Sequence, residues 1–393
     1  MSSPSSSGPS GISSRIIPIA LVAGVCIFGL DALPLQLGRN GYAAFLDEIL
    51  DDPNPRFIPN SEHLLLKHYV GVAGLDRFFA LSQLIWANVI DGSRPEVSLF
   101  TFCFGAQLMS FFTVLMIESK RVVGLSWLVF NPIVWGLLLQ MIGFGFVMPL
   151  FLVVHLLYTS KTSWSQAVHV RDPTSLHTVV PAFLLGYLLT SVLFVYPFSE
   201  GNVRQWSCVI WTVFPLNVIV LQTLFTNIVK RTSIGQDTWT PKTKLDRAAL
   251  SHTYGFAWNV AVTGQMCTYA VLIAANIFPS IFPDGVAKTL TIEKVFLPDA
   301  VPHSNRPMTD PASAMHNFLI YDLYGGSVAT LIWAVHLLLQ VRPELKSGEE
   351  RAGLARGVIT SILLSGPGGA VIALMQHRDD SVLTAEAKTE KSQ

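Results

Sequence analysis

Four carboxylic acids lie within or at the ends of apolar segments of this 393-residue chain: Asp31, Asp76, Glu118 and Asp322. An ionised carboxylate at the centre of a lipid bilayer costs about 2.5–3.5 kcal/mol on insertion scales, so each of these acids requires a specific role. Withdrawal from water favours the neutral carboxyl group, which can donate a proton. These residue types in these segments therefore indicate acid chemistry in a water-poor site.

Asp322 is the leading candidate for a proton donor. On a helix of about 3.6 residues per turn, its face is shared by Gly325, Gly326, Ala329, Trp333 and His336. Small residues beside an acid leave room for a ligand, and Trp333 would close that space. The alternative is a helix-packing face, on which glycine and alanine allow close approach and Asp322 only hydrogen-bonds to a neighbour.

Asp76 is a second candidate acid, early in the second apolar segment and about one helical turn before Phe79. The competing interpretation is an interfacial ion pair with Arg77 or Lys67. Asp31 lies at the end of the first apolar segment, and we interpret it as an interfacial residue.

Glu118 ends a third apolar segment, three residues before Arg121. An i, i+3 ion pair between these two residues at the membrane edge is the ordinary explanation for this spacing. Glu118 also shares a helix face with Phe111 and Gln107, so the same face could point into a pocket.

Aromatic residues are abundant, and most are expected to face lipid or the membrane interface. A subset could line a pocket in which the ring faces stabilise a carbocation by about 0.5–2 kcal/mol each. The candidates include Trp86, Trp127, Trp135, Trp211, Trp258, Trp333, Tyr187 and Tyr269.

Several other classes of function are not favoured. Lys and Arg together number 26, as do Asp and Glu, so the net charge is zero and no basic field favours nucleic acid. Asp47-x3-Asp51 has the spacing of a magnesium-diphosphate motif, but it lacks a second acidic partner before Asp379-Asp380. Metal-dependent prenyl transfer is therefore not expected.

The elements that position these residues are predicted to be membrane helices. The chain is 51% hydrophobic and 13% charged, with a mean hydropathy of +0.47. Residues 122–160 contain no Asp, Glu, Lys or Arg, and a run of this length is enough for about two crossings of a bilayer core. We predict a tight turn near Ile142-Gly143-Phe144-Gly145.

The pattern as a whole predicts an all-α, polytopic membrane helical bundle. We expect about ten transmembrane helices, or nine if the 122–160 run holds one span and a re-entrant piece. Residues 1–14 and 377–393 are expected to be disordered tails, with a multi-span domain over residues 15–376 between them. The predicted spans are 15–37, 69–90, 97–117, 123–141, 144–159, 176–197, 206–229, 252–278, 316–340 and 354–376.

Three short motifs carry a resemblance to a known family. They are Tyr69-x-Gly71-x3-Leu75-Asp76, Gln107…Glu118-x2-Arg121 and Phe318-Leu319-x-Tyr321-Asp322-x3-Gly326-x2-Ala329-x3-Trp333. Together with the apolar architecture, they resemble the fungal integral-membrane terpene cyclases of meroterpenoid pathways, of the macrophorin and ascochlorin type. The resemblance extends over about residues 15–376.

This resemblance implies an isomerase- or lyase-type cyclase without a metal or redox cofactor. It also implies an integral, multi-pass protein in the membrane of the endoplasmic reticulum. Its partners would be the lipid bilayer and a lipophilic substrate, a farnesylated aromatic or quinone-derived compound. An acid would protonate the terminal epoxide or alkene, and carbocations would close the rings. The sequence leaves the choice between epoxide and alkene open, as well as the oligomeric state.

On this interpretation Asp322 is the proton donor. Asp76 and Glu118 would act as a second acid, a tuning partner or the terminating base. The residues expected to contact the substrate are Tyr321, Trp333, Phe79, Phe111, Gln107 and Tyr69. A small-molecule or proton-coupled transporter is the alternative, because intramembrane acids and kinked spans also serve transport. A membrane scaffold without catalytic activity is a third possibility.

Overall fold

The computed structural model describes residues 12–122, 130–159, 166–232 and 241–390. Over these ranges the chain is helical, and its only bridges between extended segments are the isolated pairs Phe57–Leu64 and Arg121–Val170. The all-α class predicted from the sequence is therefore confirmed. The first predicted tail lies mostly outside the described residues.

The first six helices run from Ile16 to Tyr158, close to the end of the apolar 122–160 run. Helix α1 contains a π-helical stretch at Asp31–Leu35, around Pro34. The bounds are α1 Ile16–Arg39, α2 Tyr42–Asp51, α3 Ala73–Trp86, α4 Pro95–Ser119, α5 Pro132–Ile142 and α6 Phe144–Tyr158.

Seven further helices complete the described part of the chain. Helix α7 has a π-helical stretch at Leu184–Leu189, and α13 is interrupted at Gly366, where φ is 71°. The bounds are α7 Pro173–Val195, α8 Gly201–Thr212, α9 Phe214–Val229, α10 Lys242–Ile277, α11 Ile292–Phe296, α12 Pro311–Val341 and α13 Gly348–Glu390.

Six of the described helices are long and apolar enough to cross a membrane: α1, α4, α7, α10, α12 and α13. Helices α8 and α9 would form a seventh span if they are counted together, although they are bent by 68°. The structure does not confirm the predicted ten spans. The predicted span at 69–90 is the 14-residue helix α3, and α5 and α6 have only 11 and 15 residues.

Local sequence explains where several of these helices begin. Proline is the first residue of α4, α5 and α12, a position at which its missing N–H costs no intrahelical bond. The Asn131 side chain accepts a hydrogen bond from the N–H of Ile133 at the start of α5. In the same way, Asp310 accepts from the N–H of Ser313 at the start of α12.

The turn predicted inside the 122–160 run lies at Gly143, between α5 and α6. Gly143 has φ 114° and ψ 151°, a conformation that residues with a Cβ rarely adopt. Helix α6 then packs against α1 and α12. A Cβ on Gly29 of α1 would lie 2.3 Å from the Gly145 carbonyl oxygen, so glycine at this crossing permits the close approach.

The end of the chain differs from the prediction. Residues 377–390 continue helix α13, where the sequence analysis expects a disordered tail. The reason is that Arg378 and Asp379 are buried, each with 2% exposure, in contacts with other helices. Helix α13 packs against α10, α12 and α4.

Candidate active site

A cavity of about 470 Å³ lies between helices α1 to α5, α7, α8 and α12, and Asp322 forms part of its wall. This volume is within the range of about 300–1,000 Å³ that is typical of small-molecule sites. Most of the lining side chains are aliphatic or aromatic. The cavity therefore suits a lipophilic ligand.

Asp322 is 5% exposed, and its carboxyl group lies at the N-terminus of helix α6. Its Oδ1 atom accepts a hydrogen bond from the backbone N–H of Gly145 at 2.7 Å. No cationic side chain among the described residues pairs with it. A buried acid without a cationic partner is best accommodated as the neutral carboxyl group, which is the proton-donating form.

Two glycines make room for this carboxyl group. A Cβ on Gly143 would lie 2.7 Å from Asp322 Oδ1, and a Cβ on Gly145 would lie 2.8 Å from the Asp322 backbone oxygen. The Gly143-Phe144-Gly145 turn therefore does more than separate two helices. It brings the start of α6 into hydrogen-bonding distance of the acid.

The small residues that follow Asp322 on its helix face serve packing. A Cβ on Gly326 would lie 2.2 Å from the Phe144 ring, and a Cβ on Gly325 would lie 3.5 Å from the Gly145 oxygen. The packing alternative is thus correct for these glycines. The open space lies on the other side of Asp322, where the lining residues of α12 are Met315, Phe318 and Leu319.

Six aromatic residues line the cavity: Phe78, Trp86, Phe104, Tyr187, Trp211 and Phe318. Trp86 and Trp211 are in edge contact, with ring centroids 5.0 Å apart. The Trp211 N–H donates to Ser191 Oγ at 3.0 Å, and the Tyr187 hydroxyl donates to the Gly105 carbonyl oxygen at 2.8 Å. The polar atoms of these two rings are therefore bound within the protein.

The six residues expected from the sequence to contact the substrate are not among those that line this cavity. Tyr69 and Phe79 pack against each other, with ring centroids 5.8 Å apart. Phe111 packs against Phe144 at 4.5 Å.

The other three have structural contacts of their own. Gln107 connects α4 to the interruption in α13, because its Oε1 accepts from the Gly368 N–H at 2.9 Å. The Tyr321 hydroxyl donates to the Ala300 carbonyl oxygen at 2.9 Å. Trp333 is fully buried beside His155.

Asp76 lies beside a separate pocket of about 380 Å³. Its Oδ1 accepts from the backbone N–H groups of Val70 at 2.8 Å and Tyr69 at 3.0 Å. The hydrogen bond from the Val70 N–H is the largest cause that lowers the pKa of Asp76, and the hydrogen bond from the Tyr69 N–H lowers this pKa further. The ion pairs predicted with Arg77 or Lys67 are not formed, since Arg77 binds other acids and Lys67 binds backbone carbonyl groups.

Glu118 belongs to a charged cluster, which consists of Glu118, Arg121, Arg378 and Asp379. Glu118 Oε1 accepts from Arg121 Nη2 and from Arg378 Nη2, both at 3.1 Å. The i, i+3 pair predicted for Glu118 and Arg121 is therefore confirmed. Asp379 completes the cluster with distances of 2.6 Å to Arg121 and 2.7 Å to Arg378.

Neutral side chains surround the charged cluster. The Tyr254 hydroxyl donates to Asp379 at 2.9 Å, and His155 Nε2 lies 3.2 Å from Glu118 Oε2. The Trp333 indole N–H can only donate, so His155 Nδ1 accepts a hydrogen bond from it at 3.2 Å. In the neutral ring, His155 Nε2 then carries the proton and donates it to Glu118. Together with His155, Tyr254 and Trp333, the charged cluster joins α4, α6, α10, α12 and α13, and none of these residues lines the cavity.

Sequence reasoning missed the part of this cluster that comes from α13, because the sequence analysis predicts a disordered tail at residues 377–393. The one available signal is the apolar pair Val382 and Leu383, both buried, which follows the charged residues and continues the helix pattern.

Fold and site together define a multi-helix protein that fits a membrane, with an apolar, aromatic cavity that contains a buried acid. The family model described as the CtvD domain matches residues 19–383. The chain therefore belongs to the CtvD-domain family.

Relatives in this family are known from fungi. The chain is 26% identical to terpene cyclase ascI of Acremonium egyptiacum, over 79% of each chain. It is 22% identical to terpene cyclase ctvD of Aspergillus terreus, over 89% of this chain and 95% of the relative. It is 24% identical to terpene cyclase janA of Penicillium janthinellum, over 80% and 82%. No solved structure matches the chain.

Proposed function

We propose that this chain is a membrane-bound terpene cyclase of the endoplasmic reticulum that acts on a farnesylated aromatic or quinone-type precursor of a meroterpenoid. The observation that carries the proposal is the unpaired Asp322 carboxyl group on the wall of an apolar, aromatic cavity. The relatives described above are named terpene cyclases, which supports a cyclase over a transporter.

The reaction begins when Asp322 donates its proton. With a terminal epoxide, the proton goes to the epoxide oxygen and a C–O bond breaks. With a terminal alkene, the proton goes to a carbon atom. In both cases a carbocation forms, and the π electrons of neighbouring double bonds attack it to close the rings.

The environment of Asp322 assists this step. The backbone N–H of Gly145 donates to Asp322 Oδ1, and the backbone N–H of Phe144 also interacts with this carboxyl group. The same hydrogen bond and the N-terminal end of α6 stabilise the carboxylate that remains after proton transfer. Aromatic faces contribute about 0.5–2 kcal/mol each when they contact a cation.

The last step releases a proton from the final carbocation to a base or to water. Asp76 and Glu118, the predicted alternatives for this base, do not line the cavity. The Asp322 carboxylate lies on the cavity wall, and return of the proton to it would regenerate the acid. The product is then an isomer of the substrate, and no other reactant is consumed.

The test uses microsomes that contain the wild-type chain. They are incubated with a farnesylated phenol or with its terminal epoxide, and products are identified by mass and chromatographic retention. The proposal predicts a product of unchanged mass and altered retention from at least one substrate. Wild-type microsomes that leave both substrates unchanged would contradict it.

A further inference from the structure

The cavity has a second carboxylate on its wall, Asp47 of helix α2. The two acids lie in opposite environments, because the Asp47 side chain is 61% exposed whereas Asp322 is 5% exposed. Asp322 therefore lies at the buried end of the cavity, and Asp47 lies at its rim, on the protein surface.

Asp47 is held in place with one oxygen atom available. Its Oδ1 accepts from Arg77 Nη2 at 2.8 Å, and Arg77 Nη1 binds Asp51 Oδ1 at 2.5 Å. Arg77 thus connects α2 to α3. Asp47 Oδ2 has no hydrogen-bond partner in the described part of the chain, and a carboxylate oxygen can only accept.

The neighbours of Asp47 suit an aromatic ring. Ala43 and Leu46 of α2 and Phe78 of α3 line the same cavity. The exposed face of α2 is acidic, with Glu48 and Asp51 beside Asp47, and it disfavours an anionic group such as a diphosphate.

We infer that Asp47 binds a hydroxyl group on the aromatic head of the substrate, so that the head lies at the rim and the prenyl chain extends inward to Asp322. This inference rests on the proposed function. It favours a head group that carries a hydrogen-bond donor, and among aromatic heads a phenol hydroxyl supplies one. It also places the far end of the chain, where the cascade starts, next to the acid.

The experiment compares two variants and two substrates. Asp47→Asn retains the size of the side chain but replaces the charged acceptor. Asp51→Asn is the matched control, since Asp51 is on the same helix and binds the same arginine but does not line the cavity. The first substrate is the farnesylated phenol, as the terminal alkene or the terminal epoxide, whichever the wild-type protein cyclises. The second substrate is the O-methyl ether of the same compound, which cannot donate a hydrogen bond.

We expect Asp47→Asn to raise KM for the phenol about tenfold, the effect of losing one hydrogen bond to a charged group. Its KM for the methyl ether, and both KM values of Asp51→Asn, should stay within about twofold of wild type. If Asp47→Asn changes KM equally for both substrates, or for neither, the inference is overturned. The proposed function still stands in that case, provided that the wild-type protein cyclises the phenol. If wild type cyclises neither substrate, the proposed function fails as well.

Discussion

Replacement of Glu118 by glutamine tests whether this acid supports the fold or takes part in the reaction. Glu118→Gln retains the shape of the side chain and removes its charge. Arg121 and Arg378 would then face a single carboxylate, that of Asp379, and one buried positive charge would be unbalanced. Removing one partner from a buried ion pair typically costs about 3–5 kcal/mol.

Thermal unfolding in detergent measures this cost. A thiol-reactive fluorophore reports unfolding, because Cys103 and Cys208 are buried in the folded protein. For a chain of 393 residues, a loss of this size should lower the Tm of Glu118→Gln by roughly 4–6 °C. The double variant Glu118→Gln/Arg378→Gln removes one charge of each sign, so its Tm should fall by less than the sum of the two single losses.

The refuting result combines stability with activity. If Glu118→Gln unfolds at the wild-type temperature yet loses cyclisation, the charged cluster is not primarily structural. Glu118 would then take part in the reaction, as the sequence-based alternative predicts. Our account instead predicts that the folded fraction of Glu118→Gln retains the wild-type kcat.

Two further substitutions test the remaining acids. Gly143→Ala should abolish cyclisation, because the new Cβ would collide with Asp322 Oδ1 and the positive φ of this residue would add about 1–3 kcal/mol of strain. The control is Gly74→Ala, which should remain active because a Cβ at this position meets open space. Asp76→Asn should leave kcat unchanged but lower the Tm at neutral pH. Since the folded-state pKa of Asp76 is lowered, its stabilisation is present above about pH 4 and is lost on further acidification, so the Tm values of variant and wild type should converge there.

Sequence alone predicted the features that depend on local pattern. The charge-free run at 122–160 indicated two helices and their turn, and the turn lies at Gly143 as predicted. The burial of Asp322 followed from its place in an apolar helix. Both inferences needed only periodicity and the cost of burying charge.

The span count was less predictable because hydropathy does not determine helix length. The apolar segment around Asp76 continues beyond Trp86, but helix α3 ends there. In the same way, Pro132 and Pro215 lie within apolar segments of the sequence, but in the structure they lie at the beginnings of α5 and α9. Proline is compatible with both positions, and tertiary packing decides between them.

The cavity wall was the least predictable part of the site. Its residues come from eight helices, and no spacing along the chain reports which helix faces meet. Trp333 shares a helix face with Asp322, yet it lies three turns away and contacts His155. Trp86 and Trp211 are two of many aromatic residues in the sequence, and only the fold places them on the cavity wall.

The central claim is that Asp322 is the acid that starts cyclisation. Its most direct test is the initial rate of product formation by wild-type and Asp322→Asn microsomes, normalised to the amount of folded protein in the membrane. We predict that Asp322→Asn retains the wild-type Tm and loses about 10²–10⁴-fold in rate, the usual contribution of a general acid. An Asp322→Asn variant that cyclises the substrate as fast as wild type would contradict the claim.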